Sequence, residues 1–451
     1  MKIIIVGCGK VGVTLAEQLN QEGHEITVID KDNDRLRTVT DHIDVMGVEG
    51  NGVSYQVQID AGIQEADLLI ATTNSDELNM LCCLIAKKAG ECHTIARIRT
   101  PEYVKEIRYI REELNLSMVI NPEMEAAMEI SRLIKFPSVM KVDTFAKGRA
   151  ELMKLIIPEN SVLHGSRVFE VSQKLHCNVL ICAVERGHEV IIPDGGFEMS
   201  AGDKVSFIGE HKEVQEFFKR AGIVHNSIKS VMLIGGGKIT YYLAKTLEET
   251  NISVKIIERD FTRCQILSEL LPKAMIIHGD GSDQQLLLEE GIEDTDAFAS
   301  LTDFDEENIM LSLYAASLSD VKLVTKINRI TFENVVSTMN LGSIIYPKLI
   351  AADTVVSYVR AMQNSMGSNV ETLYKVVANK AEALEFRVGR EPAIVDIPLE
   401  QLKFKSNLLI ACINRAGRII TPNGHDTLKA GDTVVVVTTR TGLNDLKDIL
   451  Q

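Results

Sequence analysis

The sequence predicts an α/β chain of two tandem units, each a doubly wound parallel sheet followed by a crossover helix and a small α+β C-terminal domain. Three observations carry this: an internal repeat spanning the chain, strand and helix patterns alternating at the start of each half, and a change to short β-rich runs at the end of each half. At roughly 100–200 residues per domain, 451 residues leave room for about two to four domains.

The repeat comes first because it fixes the rest. At an offset of 228, Gly7, Gly9, Lys10, Leu15, Ala16, Leu19, Ile29 and Asp32 recur as Gly235, Gly237, Lys238, Leu243, Ala244, Leu247, Ile257 and Asp260. After a one-residue insertion, Gly50, Gly52, Asp67, Thr73, Asp76 and Asn79 recur as Gly279, Gly281, Asp296, Thr302, Asp305 and Asn308. The same shifted offset relates Arg186 and Ala201-Gly202-Asp203 to Arg415 and Ala430-Gly431-Asp432.

Within the first half, Lys2–Gly7 is a β-branched run, Val11–Gln21 has helical apolar spacing (Val11, Leu15, Leu19), and Glu25–Asp30 returns as a strand. Asp67–Thr73 and Thr94–Arg99 read as further strands around a helix at Ser75–Ala89. Strands separated by single helices need crossover connections, hence a parallel sheet covered on both faces. Asn121-Pro122-Glu123 opens a helix with Asn as N-cap and Pro at its first position, and Tyr346-Pro347 does the same in the second half. The apolar residues of these helices (Met124, Met128, Leu133; Ile350, Val355, Val359) are expected to lie exposed and to form an oligomer interface. The predicted division is 1–120, 121–149 (crossover helix and linker), 150–221, 229–345, 346–380 (crossover helix and linker) and 381–451.

Composition removes whole classes of function. Apolar residues make up 45% and charged residues 25%, an ordinary globular balance. The net charge of −15 repels phosphate backbones and anionic lipid, so neither nucleic acid nor a bilayer is an expected partner. The longest apolar runs, Met80–Ala86 and Val434–Thr438, fall far short of the ~18 residues of a membrane helix. Met1–Gly7 leads into a strand without the features of a signal peptide, so a cytosolic location is expected. The eight cysteines show no C-x-x-C and no metal-ligand spacing, which reads as reduced and buried, with no metal site. His24 and His42 are expected on the surface.

The chemistry-bearing motif is Gly7-Cys8-Gly9-Lys10-Val11-Gly12, a G-x-G-x-x-G that follows a strand and opens a helix, with Asp30 at the end of the next strand. In this Rossmann-like fingerprint the first Gly makes the turn, the second admits a pyrophosphate to the helix end, and the third lets helix and sheet pack closely. Asp30 would accept hydrogen bonds from a ribose diol and repel a 2′-phosphate, which favours NAD(H), ATP or ADP over NADP. Asn51 is placed to meet an adenine edge, Thr73 and Asn74 to reach ribose or phosphate, and Arg97 to serve as the phosphate cation. The second copy, Gly235-Gly236-Gly237-Lys238-Ile239, has Glu258 at the acid position and Asp280 between Gly279 and Gly281. Thr240 replaces the third Gly, which predicts a slightly wider helix-to-strand spacing and weaker binding.

A dehydrogenase needs a general acid/base and substrate-orienting groups beside its cofactor, and the small β-rich domains offer no such pair. G-x-S-x-G, H-E-x-x-H and a Walker-A run are also missing. Two nucleotide cradles without catalytic residues point to a sensor, with an NAD-dependent oxidoreductase on a small amino or keto acid, and a free-standing redox sensor, as the rivals.

The stretches Ile4–Gly12, Gly50-Asn51-Gly52, Thr73–Asn79, Ile95–Arg99 and Pro101-Glu102-Tyr103, present within a unit written twice, resemble the RCK (regulator of potassium conductance) family, and within it the tandem-RCK regulatory subunits of Trk potassium uptake. The resemblance implies a cytosolic homotetrameric ring, peripheral on the inner face of the cell membrane, docked on a potassium-translocating membrane subunit, with nucleotides setting the gate. An acidic ring suits the Lys/Arg-rich cytoplasmic loops of such a partner. Thr240 and the stretch 366–380 depart from the family pattern and bear on the second site.

Overall fold

The computed structural model describes every residue except 136–138, 146–148, 188, 224–227, 330–332, 337, 366–369, 378–379, 390–393, 441–442 and 444. Part of the departing stretch 366–380 therefore lies outside the described residues. The chain forms two compact units, Met1–Ser131 with Lys229–Val356, and Arg132–Ile228 with Ser357–Gln451.

In the first unit, strands β1 (Lys2–Val6), β2 (Glu25–Asp30), β3 (Met46–Glu49), β4 (Leu68–Ala71), β5 (His93–Arg97) and β6 (Met118–Ile120) form one sheet in the order β3-β2-β1-β4-β5-β6. Every neighbouring pair is parallel. Continuous apolar runs such as Ile3–Val6 and Leu68–Ala71 are fully buried, as a sheet covered on both faces requires. Helix α1 (Lys10–Gln21) buries Val11, Leu15, Ala16 and Leu19, and helix α2 (Asn33–Thr40) starts on the Asp32 side chain, which accepts from the Arg35 N–H. The second copy repeats the order with Met275–His278, Ser253–Glu258, Ser230–Ile234, Ala297–Ser300, Lys322–Lys326 and Ser343–Ile345. The strand order reverses beside β1 and beside Ser230–Ile234, so each copy has a crevice at its strand ends.

The crossover helices span Pro122–Lys135 and Pro347–Ser365. Asn121 caps the first, its Oδ1 accepting from the Met124 N–H at 3.0 Å. Their apolar stripes differ from the exposed faces expected: Leu133, Val355 and Val359 are buried, and only Met128 of the six is exposed. The two helices also meet within the chain, the Thr354 hydroxyl of one donating to Glu125 Oε2 of the other at 3.0 Å.

The second unit holds two antiparallel sheets of five strands. One runs Glu189–Ile191, Val179–Arg186, Lys204–Glu210, Ala150–Ile156, Val139–Phe145, and the other Val370–Val377, Ala381–Arg387, Thr433–Thr438, Leu408–Arg415, Arg418–Ile420. Val139–Phe145 and Val370–Val377 are thus strands inside stretches read from sequence as linker, paired to the strand that follows each. The repeated Arg and Asp explain themselves here. Arg186 grips Asp203 through Nε at 2.9 Å and Nη2 at 2.7 Å, and Arg415 grips Asp432 at 3.0 and 2.7 Å, each pair tying a strand to the glycine turn beside it. A core shared by the two sheets is lined by small side chains, including Ala150, Cys182, Ala183, Ala381, Ala383, Ala411 and Cys412. His24 departs from its expected surface position: it is 4% exposed, its ring near the N-terminal amine, while His42 is exposed.

Candidate functional site

Each cradle is built where the first strand of its sheet meets a glycine-led helix. Gly7 and Gly235 take φ of +103° and +94°, a conformation that only glycine adopts readily. Helices α1 and Lys238–Leu247 begin on Gly9 and Gly237 with no side-chain cap, unlike the neighbouring helices capped by Asp32 and Asp260. Their first-turn N–H groups therefore remain for an anion. A Cβ at Gly9 or Gly237 would meet nothing within 4 Å. Protein packing does not demand glycine there, and the space in front of it suits a pyrophosphate.

The acid at the end of the second strand is held by the cradle itself. Asp30 Oδ2 accepts from the Cys8 N–H at 2.6 Å and Oδ1 from the Asp32 N–H at 3.0 Å. Glu258 repeats this with the N–H groups of Gly236 and Asp260, both at 2.6 Å. Each carboxylate is fixed facing the crevice and retains lone pairs for a diol. Cys8 beside it is no nucleophile, because burial, with Asp30 adding to it, pushes its thiol up to about 12. All eight cysteines are buried and unpaired.

Other predicted residues divide into those that reach the site and those serving the scaffold. The Thr73 hydroxyl and N–H both donate to Asn79 Oδ1 at 2.7 Å, and buried Asn79 donates onward to the Arg97 carbonyl at 2.9 Å. Thr302 and Asn308 repeat the arrangement, which in each copy stitches the end of the fourth strand to the end of the fifth. Asn51 is exposed and accepts from the Val53 N–H of its own turn, while exposed Asn74 offers its carbonyl to Arg99. Arg97 is only 7% exposed and donates to the Thr73 carbonyl at 2.5 Å. Burial, with Arg99 nearby, lowers it to about 10, which still leaves it charged at neutral pH.

The second cradle opens on a cavity of about 590 Å³. Gly235, Gly236, Gly237, Lys238, Ile239, Glu258 and Asp280, the residues singled out in the sequence, all line it. The repeat alone did not reveal Arg263, whose Nε donates to the Gly236 carbonyl at 2.6 Å, or Asp303 and Lys326, paired at 2.9 Å. Arg99 and Glu123, 3.5 Å apart, come from the first copy and close the same cavity. Tyr242 of the glycine-led helix fixes that junction, donating to the Arg99 carbonyl at 2.8 Å and lying 3.2 Å from Asn121 Nδ2. Thr240 is accommodated: fully buried, it donates its hydroxyl to the Gly235 carbonyl at 2.5 Å. The cradle residues present fit a nucleotide's pyrophosphate and ribose in both copies.

Comparison with known proteins agrees with the division into units. The TrkA-N domain family matches residues 3–122 and 231–347, and the TrkA-C domain family residues 152–222 and 383–451. The Trk system potassium uptake protein TrkA of Haemophilus influenzae is 32% identical over 453 residues, covering 100% of this chain and 97% of its own length. The protein of the same name from Halomonas elongata is 31% identical over 455 residues, covering 100% and 99%. Among solved structures, the GsuK channel bound to NAD superposes with a TM-score of 0.64 at 16% identity, over 97% of this chain and 76% of that one, a likeness of fold.

Proposed function

The chain belongs to the TrkA family of Trk system potassium uptake proteins, and from that premise we propose that it is a cytosolic regulatory subunit, not an enzyme, that gates a Trk-type potassium-translocating membrane protein in response to nucleotides. The ligands are NAD(H), ATP or ADP, each with the free ribose diol that Asp30 and Glu258 would accept. The working assembly is a homotetramer, peripheral on the inner face of the membrane. Among the described residues no helix is long and apolar enough to cross a membrane, and in this reading the partner supplies the potassium path.

The observation that carries the reading is the composition of the second cavity's wall. Arg99 and Glu123 of the first copy face the glycine turn of the second across one space. A ligand in that space touches both copies, so its binding energy differs between arrangements in which they are closer or farther apart. Differential affinity of that kind is what a ligand needs to shift a conformational equilibrium.

The test is potassium flux through the reconstituted membrane partner, with the protein added and each nucleotide titrated. Flux should respond to nucleotide with the intact protein and lose the response in the double variant Gly9→Val, Gly237→Val. Flux indifferent to every nucleotide would overturn the proposal, as would steady consumption of NADH with carbonyl substrates.

A further inference from the structure

The repeat allows the two cradles to be compared position by position, and, apart from the Arg99–Glu123 ion pair that the first copy contributes to the second cavity, the charge differences share one sign. Asp280, Asp303 and Glu307 line the second cavity, and the aligned residues of the first copy are Asn51, Asn74 and Leu78. All three changes add a carboxylate to the second cradle. The cation positions keep their charge, with Lys10 aligned to Lys238, Lys31 to Arg259, Arg35 to Arg263 and Arg97 to Lys326.

The consequence is clearest at the last of those pairs. Lys326 is 7% exposed and its Nζ lies 2.9 Å from Asp303, so its charge is already compensated. Arg97 is equally buried, and its Nη2 donates to the backbone carbonyl of Thr73. Its Nε is buried without a hydrogen-bond partner, and among the described residues no carboxylate lies within ion-pair distance. A buried cation with no carboxylate in direct contact favours an incoming anion, whereas Lys326 must give up Asp303 first. Glu307, 3.5 Å from the Thr302 hydroxyl, adds further negative potential at the same strand end.

Resting on the nucleotide reading above, we propose that the cradles are matched to ligands of different charge: the first to a nucleoside triphosphate, and the second to a dinucleotide, in which two phosphates are esterified and, in the oxidised form, a pyridinium offsets one of them. Asn74 and Arg97, against Asp303 and Lys326, are the main determinants, with Asp280 and Glu307 reinforcing the second.

The experiment isolates each cradle in the full chain. Gly9→Val closes the first and Gly237→Val the second, and both replacements fit the backbone, since φ at these positions is −78° and −68° and the side chain enters open space. Calorimetric titration with ATP and NAD in a chelating buffer should give Gly237→Val a preference for ATP and Gly9→Val a preference for NAD. Adding Asp280→Asn, Asp303→Asn and Glu307→Leu to Gly9→Val should tighten ATP by about tenfold or more, tighten NAD less, and lose most of that gain in high salt. The same triple change in the otherwise intact chain should alter only one of its two binding phases. Equal ATP-to-NAD ratios in the two single-cradle variants, a ratio unmoved by the triple change, or magnesium that brings ATP affinity at the second cradle up to that of the first would overturn the inference. Failure of the unaltered chain to bind either ligand would instead overturn the nucleotide reading beneath it.

Discussion

At the third glycine of the fingerprint, the two copies place one hydroxyl at different addresses. In the first, α1 starts so close to β1 that a Cβ at Gly12 would stand 1.9 Å from the Gly7 carbonyl oxygen, and the hydroxyl of Thr72, at the end of β4, reaches that oxygen at 3.3 Å. In the second, the aligned residues are Thr240 and Leu301. The helix carries the hydroxyl, the strand end carries a buried aliphatic chain, and the carbonyl of Gly235 is served from the other side. Thr240 thus brings a Cβ to the position of the third glycine, and the turn loses no hydrogen bond. A departure from a motif is better judged by whether the groups it disturbs are satisfied than by the letter that changed.

That comparison can be broken directly. Gly12→Thr should destabilise the first copy by about 3 kcal/mol, the upper range for forcing atoms into a packed site. Adding Thr72→Leu, which recreates the second copy's arrangement, should recover about 1 kcal/mol. Denaturant unfolding of the single and double variants reads both, and a double variant no better than the single would show that the exchange of hydroxyls is not a matched pair. Next in size is the acid. Asp30→Ala should weaken NADH and ADP at the first cradle by about 1–3 kcal/mol, since the carboxylate orients the turn as well as facing the diol, and Glu258→Ala should do the same at the second. Unchanged calorimetric affinities would remove these residues from the site.

Thr240→Val keeps the volume and leaves the Gly235 carbonyl without its donor, for an expected loss of about 1–2 kcal/mol in stability. Thr72→Val, whose two bonds are longer at 3.2 and 3.3 Å, should cost only about 0.5 kcal/mol. A pH effect separates the crossover helices. Glu125 on the first aligns with Ile350 on the second, and burial, opposed by the Thr354 hydroxyl, raises its carboxyl from 4.5 to about 7. The folded state then holds a proton that the unfolded chain has released between those values, so stability should fall as pH rises from about 4.5 to 7. Glu125→Gln should flatten that slope in thermal melts, and a slope that persists would assign it to another group.

The sequence showed the fold through its repeat, because Gly7, Asp30 and Asn79 each meet a backbone requirement that recurs in the second copy. Asp30 and Glu258 were legible for the same reason. The hydroxyl exchange was not, since Thr72 and Thr240 align with residues that share none of their chemistry and are related only through a carbonyl in space. Arg99 and Glu123 escaped notice because they serve a cavity in the other copy, a relation that no local motif encodes. His24 was misjudged because position in a polar turn says little about what the chain terminus folds over it. The strands Val139–Phe145 and Val370–Val377 were hidden by proximity to the crossover helices, where the pattern reads as connection.

The alanine-rich core between the two small sheets has a consequence for how the molecule can vary. Two separate chains meeting through such a face would associate only above a threshold concentration, and each change of sequence would appear on both sides of the contact at once. Carrying both sheets on one polypeptide makes the encounter intramolecular, at an effective concentration independent of how much protein is present. It also frees the halves from identity. Ala150 and Ala381, each opening its strand, can stay matched at the core while Asn74 and Asp303 drift apart at the cradles, so a covalent pair can hold two non-equivalent pockets that a symmetric dimer of single units cannot encode.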